Sequence, residues 1–179
     1  SEDVRNEIRD IVSFWLGKGV DGFRLDAVLY YVKDNAAANV EFLSWFKDTC
    51  RAIDPDCYMV GEAWTDRAHI AELYPSGIDS LFEFPFAGKD GNISRIITGD
   101  LKASDFVVAM LKAEEAYSAE NPDYVGAPFY TNHDMARSAG YYPADEGPMT
   151  KMAYAMSLLM RGNSFVYYGE EIGMKGAGI

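Results

Sequence analysis

Apolar residues at Val4, Ile8, Ile11, Val12, Trp15 and Leu16 have the spacing of an amphipathic helix over Glu2–Leu16, with Ser1 as N-cap and Gly17 as stop. The pattern then changes to a strand in GVDGFRLDAV. It returns to helical spacing over Asn39–Ile53, where Val40, Leu43, Phe46 and Cys50 share one side and Asp54-Pro55-Asp56 ends the run. CYMVGEAW predicts a second strand and Ala68–Leu73 a short helix closed by Pro75-Ser76-Gly77. SLFEFPF predicts a third strand, Leu101–Ala119 a helix and PFYTNHD a fourth strand. Met149–Met160 predicts a helix whose Met152, Met156 and Leu159 read as core, and SFVYYGEEIG a fifth strand. The looser loops are Gly88–Asp100 and Gly140–Pro148. Strand and helix alternate throughout, which predicts an α/β fold with a parallel sheet and outer helices.

Against this pattern the polar residues of DGFRLDAV stand out. Side chains at i and i+2 of a strand point to the same side, so Arg24 and Asp26 face together. Burying such a pair costs several kcal/mol per ion before their attraction is counted, which asks for a use. Asp26 ends the first strand, Glu62 the second, and His133 with Asp134 the fourth. In a parallel α/β fold these C-terminal strand ends share one face, and that face holds the active site.

Composition narrows the partners. The 179 residues suit one domain with a sizeable core. Asp and Glu number 28 against 16 Lys and Arg, a net charge of −12, and no basic stripe is present. That argues against nucleic acid. No apolar run approaches membrane-spanning length, and no signal peptide is visible at Ser1. Cys50 and Cys57, without zinc spacing, read as packed free thiols in preference to a disulfide.

Two carboxylates from different strand ends can cleave a glycosidic bond with retention when they stand about 5–5.5 Å apart. Arg24 beside Asp26 would keep a nucleophile ionised. Glu62, between Gly61 and Ala63 with Trp64 nearby, could keep an acid's proton in apolar surroundings. Asp134 would bind sugar hydroxyls, and His133 could donate to one. Each residue alone has a plainer reading. Asp26 could cap the next helix, Glu62 could favour a helix dipole, and His133 could be an ordinary packed histidine. Glu170 and Glu171 read as structural or surface residues, and His69 as solvated. Among the aromatics Tyr30, Tyr31, Trp64, Phe84 and Phe86, core packing is the commoner role. Trp64 and Tyr30 are the better sugar platforms because they follow the acidic strand ends.

Taken together these residues resemble the α-amylase family of glycoside hydrolases. GVDGFRLDAV is similar to the segment carrying its nucleophile, VGEAW to its acid/base segment and FYTNHD to its final motif, while SFVYYGEEIGM resembles its eighth barrel strand. The resemblance covers essentially the whole chain. It implies a partial TIM (β/α)₈ barrel, strands four to eight, with residues 1–179 as the C-terminal part of the catalytic barrel and no second domain. It implies a retaining α-glycoside hydrolase acting on starch or maltodextrin-type α-glucans by double displacement. Asp26 is then the nucleophile, Glu62 the acid/base and Asp134 the transition-state stabiliser. Arg24 orients Asp26, His133 contacts the sugar, and Trp64 and Tyr30 bind substrate. SLFEFPF resembles members between oligo-1,6-glucosidases and neopullulanases, which suggests a bacterial enzyme, with an extracellular or cell-surface location favoured over a cytoplasmic one.

The sequence departs from the family in two respects. Leu29-Tyr30 stand where many members carry a Lys-His that contacts sugar and calcium. No cofactor is expected for the chemistry and no metal ligand is identified, although the resemblance leaves room for a structural calcium in the parent enzyme. The family's first motif also has no counterpart, and a complete barrel takes about 250 residues. These residues therefore read as part of an enzyme, weakly active or inactive alone, with an open sheet that a second copy would cover. The competing readings are a non-catalytic relative serving as a binding or transporter-associated module, and a metal-dependent hydrolase. Intact Asp26, Glu62 and Asp134 argue against the first, and Arg24 beside Asp26 disfavours a cation there.

Overall fold

A computed structural model describes residues 1–142 and 147–176. Six helices and three strands are formed among these residues: α1 Glu2–Leu16, β1 Gly22–Leu25, α2 Ala36–Arg51, β2 Tyr58–Gly61, α3 Arg67–Ala71, β3 Ser80–Leu81, α4 Asn92–Thr98, α5 Ala103–Glu120 and α6 Pro148–Leu159. The strands lie side by side in chain order and parallel, with Leu25 opposite Gly61 and Gly61 opposite Leu81. Two single parallel bridges continue the series, Phe82 with Ala127 and Phe129 with Phe165. Five neighbouring chain segments thus follow one another in sequence order, as in a barrel laid open.

Apart from α4, the helices form where the apolar spacing predicts them, and caps explain the starts of α1 and α2. The Ser1 hydroxyl accepts the Val4 N–H at 3.4 Å and starts α1. Gly17 ends the helix but keeps right-handed angles, and the left-handed turn falls at Gly19. Asn35 caps α2 through the Ala38 N–H, so this helix begins ahead of the apolar run. The helix α4 lies inside the stretch expected to be a loop. Its seven residues are too few for a clear period, yet Ile93 is fully buried.

The fourth and fifth predicted strands shrink to bridges, and the third to two residues. Pro85 turns Phe84–Phe86 into a 3-10 turn, and Pro128 cannot donate to a ladder. The backbones still approach closely at Gly126 and Gly162. A Cβ on Gly162 would stand 2.0 Å from the Gly126 carbonyl oxygen, and its φ of +117° also requires glycine.

The main core lies between the sheet and its helices. It contains Leu43, Cys50, Met59, Ile70, Leu73, Tyr74, Leu81, Ile93 and Tyr117. Cys50 and Cys57 are buried free thiols, and burial pushes the Cys50 thiol up to about 12. A smaller aromatic cluster of Phe82, Phe84, Phe129 and Phe165 packs on the other side of the sheet. The methionine stripe of α6 forms core only in part: Met156 is half-buried against the main core. The helix buries Thr150, Ala153 and Ser157, and leaves Met152 57 % and Leu159 86 % exposed. Its buried face is mostly small, and α4 packs against this helix. Among the described residues no helix is long and apolar enough to cross a membrane.

Candidate active site

The site is assembled by strand register. Because Leu25 pairs with Gly61, the next residues, Asp26 and Glu62, emerge side by side at the C-terminal ends of β1 and β2. The Glu62 N–H donates to the Leu25 carbonyl at 2.8 Å, and the Val28 N–H donates to the Glu62 carbonyl at 2.9 Å. Ala27, immediately after Asp26, holds left-handed angles (φ 48°, ψ 46°), unfavourable for a residue with a Cβ. That kink turns the chain away from the strand direction and leads into a 3-10 turn, Val28–Tyr30.

Arg24 joins the two carboxylates. One guanidinium nitrogen donates to Asp26 Oδ1 at 2.5 Å, and the other donates to Glu62 Oε2. The Glu62 side chain is 11 % exposed, Arg24 35 % and Asp26 75 %. The Arg24–Asp26 pair is therefore not buried, and the desolvation cost expected for it is largely not incurred, because this side of the sheet is open. Glu62 sits among buried Gly61 and Ala63, yet its carboxylate meets a cation rather than purely apolar surroundings. Neither carboxylate takes its plainer role. The turn after Asp26 has Ala27 at its N-cap and no side-chain cap bond, and α3 is capped by Asp66 instead of Glu62.

His133 and Asp134 follow the bridge at Phe129. The Asn132 Oδ1 accepts the Asp134 N–H at 3.0 Å, a local turn that sets the tip of the loop. His133 Nε2 lies 3.2 Å from Asp134 Oδ2, and both side chains are about half exposed. His133 is not a packed histidine. It lines a cavity of about 180 Å³ with Arg24, Phe82, Phe129, Asn132 and Phe165. The cavity connects the fourth predicted strand end to the first.

The two aromatic candidates differ. Trp64 stacks on Phe84 at 4.9 Å between centroids and 22° between planes, and it remains 50 % exposed. Trp64 lies two residues beyond Glu62, and one of its faces is supported by buried Phe84. Tyr30 is 69 % exposed on its turn. His69 is exposed beside Asp66, at 3.0 Å, as expected of a solvated histidine. The pattern gave Glu170 only a generic role, but it is buried within a polar cluster of Arg137, Ser138 and Tyr154. Among the described residues no group of three or more His, Cys, Asp and Glu could hold a metal ion. Leu29 and Tyr30 supply neither charge nor imidazole, so these residues do not fit a calcium site and no step is assigned to one.

The family described as alpha amylase, catalytic domain, matches residues 1–179. Alpha-amylase 3 of Dictyoglomus thermophilum is 36 % identical over 178 residues, 97 % of this chain and 34 % of that protein. Alpha-amylase SusG of Bacteroides thetaiotaomicron is 32 % identical, over 94 % of this chain and 25 % of its own length. Among solved structures, Eubacterium rectale Amy13B superposes with a TM-score of 0.96 at 49 % identity, over 99 % of this chain and 35 % of that one. The alpha-amylase from H. orenii gives 0.86 at 30 % identity, over 100 % of this chain and 36 % of its own. The chain therefore spans about a third of the length of several relatives it matches.

Proposed function

Because this chain belongs to the family of alpha-amylase catalytic domains, we propose that it supplies the nucleophile and acid/base of a longer retaining hydrolase of starch or maltodextrin-type α-glucans. The observation that carries this reading is the Arg24 guanidinium bridging Asp26 and Glu62 on adjacent parallel strand ends. A single planar cation spans both carboxylates and offsets their repulsion. Double displacement requires the two carboxyl groups about 5–5.5 Å apart, and contact of both with one guanidinium supports that reading.

In this proposal the exposed Asp26 carboxylate attacks the anomeric carbon as Glu62 protonates the departing glycosidic oxygen. A covalent glycosyl ester forms on Asp26. Glu62 then takes a proton from water as that water displaces Asp26, and both residues return to their starting states. Arg24 keeps Asp26 charged and oriented. Asp134 and His133 hold hydroxyls of the sugar being cleaved, and Trp64, backed by Phe84, offers a flat apolar face to the adjoining sugar. Tyr30 is assigned to the same substrate from the side of β1. No cofactor takes part. The isolated residues are proposed to be weakly active or inactive, since their face is open and Asp26 is largely solvated. They are also proposed to associate with a second copy of themselves.

The test is Asp26→Asn in the longer polypeptide. The amide is nearly isosteric but a poor nucleophile, so release of sugar from maltooligosaccharides should fall by about 10⁴-fold or more while the circular dichroism spectrum is unchanged. Activity within about tenfold of the unaltered enzyme would remove Asp26 from the mechanism.

A further inference from the structure

The segment that carries His133 and Asp134 belongs to no strand or long helix. It runs from the bridge at Phe129 to a 3-10 turn, Ser138–Gly140. Its tip is fixed locally by Asn132, but both of its ends lead to one buried carboxylate. Ahead of the tip, Thr131 Oγ1 lies 3.0 Å from the Tyr154 hydroxyl of α6, which donates to Glu170 Oε2 at 2.7 Å. Beyond the tip, the Ser138 hydroxyl donates to the same oxygen, and Arg137 is ion-paired with Glu170 Oε1 at 3.5 Å. The Arg137 guanidinium also lies 4.1 Å from the centre of the Tyr167 ring and 4.6 Å from that of Tyr168, and it donates to the Tyr168 carbonyl.

This arrangement is internal. The Glu170 side chain is 1 % exposed and that of Arg137 10 %. A carboxylate at that depth needs charge and hydrogen-bond compensation. Here the compensation comes from the two flanks of the His133–Asp134 segment and from α6. A residue needed only to shape the turn Glu170–Ile172 would find its partners within that turn.

We propose that Glu170 is a positioning residue for Asp134 and His133, with Arg137 as its cationic arm. It fixes both flanks of residues 131–138, so that the tip projects toward the cavity shared with Arg24. The inference rests on the role given to Asp134 above and adds a residue that never touches sugar.

Two measurements test it. The first is hydrogen exchange on the 179-residue chain with Glu170→Gln, which keeps the volume and removes the charge, and with Arg137→Met. Amides of residues 131–138 should exchange about tenfold faster or more while those of β1 and β2 keep their rates. Equal acceleration everywhere would mark Glu170 as merely structural, and no acceleration would remove its hold on the loop. The second measurement is turnover in the longer polypeptide. Glu170→Gln should lower kcat by about ten- to a hundredfold, and it should cost nothing further when Asp134→Asn is already present. Independent, multiplicative losses would overturn the inference. Should Asp134→Asn itself leave turnover intact, the role of Asp134 fails, and hydrogen exchange alone still decides whether Glu170 holds the segment.

Discussion

A carboxyl group deprived of polar partners is driven toward its neutral form, and Glu83 is in that position. It is 7 % exposed, and among the described residues its side chain has no hydrogen bond or ion pair. The buried tyrosines Tyr74, Tyr117 and Tyr124 lie near enough to feel its charge, and among the described residues the Tyr117 hydroxyl also lacks a hydrogen-bond partner. Burial pushes the Glu83 carboxyl up to about 7 from an ordinary value of 4.5. The folded chain therefore binds a proton between these values that the unfolded chain has released. Stability falls as pH rises through that window and levels off above it, by about 3 kcal/mol in all. Glu83→Gln should abolish this slope. Urea unfolding should show the variant more stable at pH 8 by up to about 3 kcal/mol and no more stable at pH 4. A slope identical in both proteins would mean that Glu83 is solvated. Nothing in SLFEFPF separates this buried carboxyl from a surface one, because Glu83 lies past the strand Ser80–Leu81, at the start of the turn Phe84–Phe86, where no period assigns it a side.

At the scale of the element, loops that look structureless are held by single buried groups. Asn39, 2 % exposed on α2, accepts the Val32 N–H at 2.7 Å and donates to the Leu29 carbonyl at 2.8 Å. It ties the turn bearing Tyr30 to the helix. Asn39→Ala would leave those backbone groups unpaired and should cost about 2–4 kcal/mol. Thermal unfolding would register the loss, and a shift below about 2 °C would show that water replaces the amide without penalty. Asn39 was legible only as the start of a helix. The helices themselves were readable because their apolar faces repeat over many residues, and α1 runs over the predicted span. The strands that carry the candidate site were readable because Asp26 and Glu62 interrupt apolar runs at fixed places. The fourth and fifth strands were overread, since PFYTNHD and SFVYYGEEIG have strand composition but contribute one bridge to each other. The α6 stripe was right at Met156 and wrong at Met152 and Leu159 for a further reason: periodicity identifies a face, but not how much of it another element covers.

The whole molecule carries that missing cover as exposed apolar area. On α1, Val4, Ile11, Phe14 and Trp15 are 47 to 57 % exposed. Near the other end of the series, Leu158 and Leu159 of α6 and Tyr168 and Ile172 are 54 to 86 % exposed. Among the described residues the outer side of β1 has no strand beside it, since β1 is the first of the sheet order. A free strand edge next to an apolar helix face is a template for a second chain. Opposing this is the net charge of −12 on each copy, a repulsion that acts at long range and is screened within about 8 Å at physiological salt. Contact between apolar faces is short-ranged and survives that screening. Association should therefore strengthen with salt, the reverse of an assembly held by ion pairs. Light scattering at micromolar concentration should give twice the mass of the chain at about 0.15 M salt, and a larger monomer fraction at about 0.01 M. Trp15→Glu places a charge in the α1 face without touching the core, and should return the chain to monomer at both salts if that face is the contact. A monomer at every salt and concentration would mean that the exposed faces do not pair. Dimerisation of Trp15→Glu equal to the unaltered chain would move the contact to the α6 end.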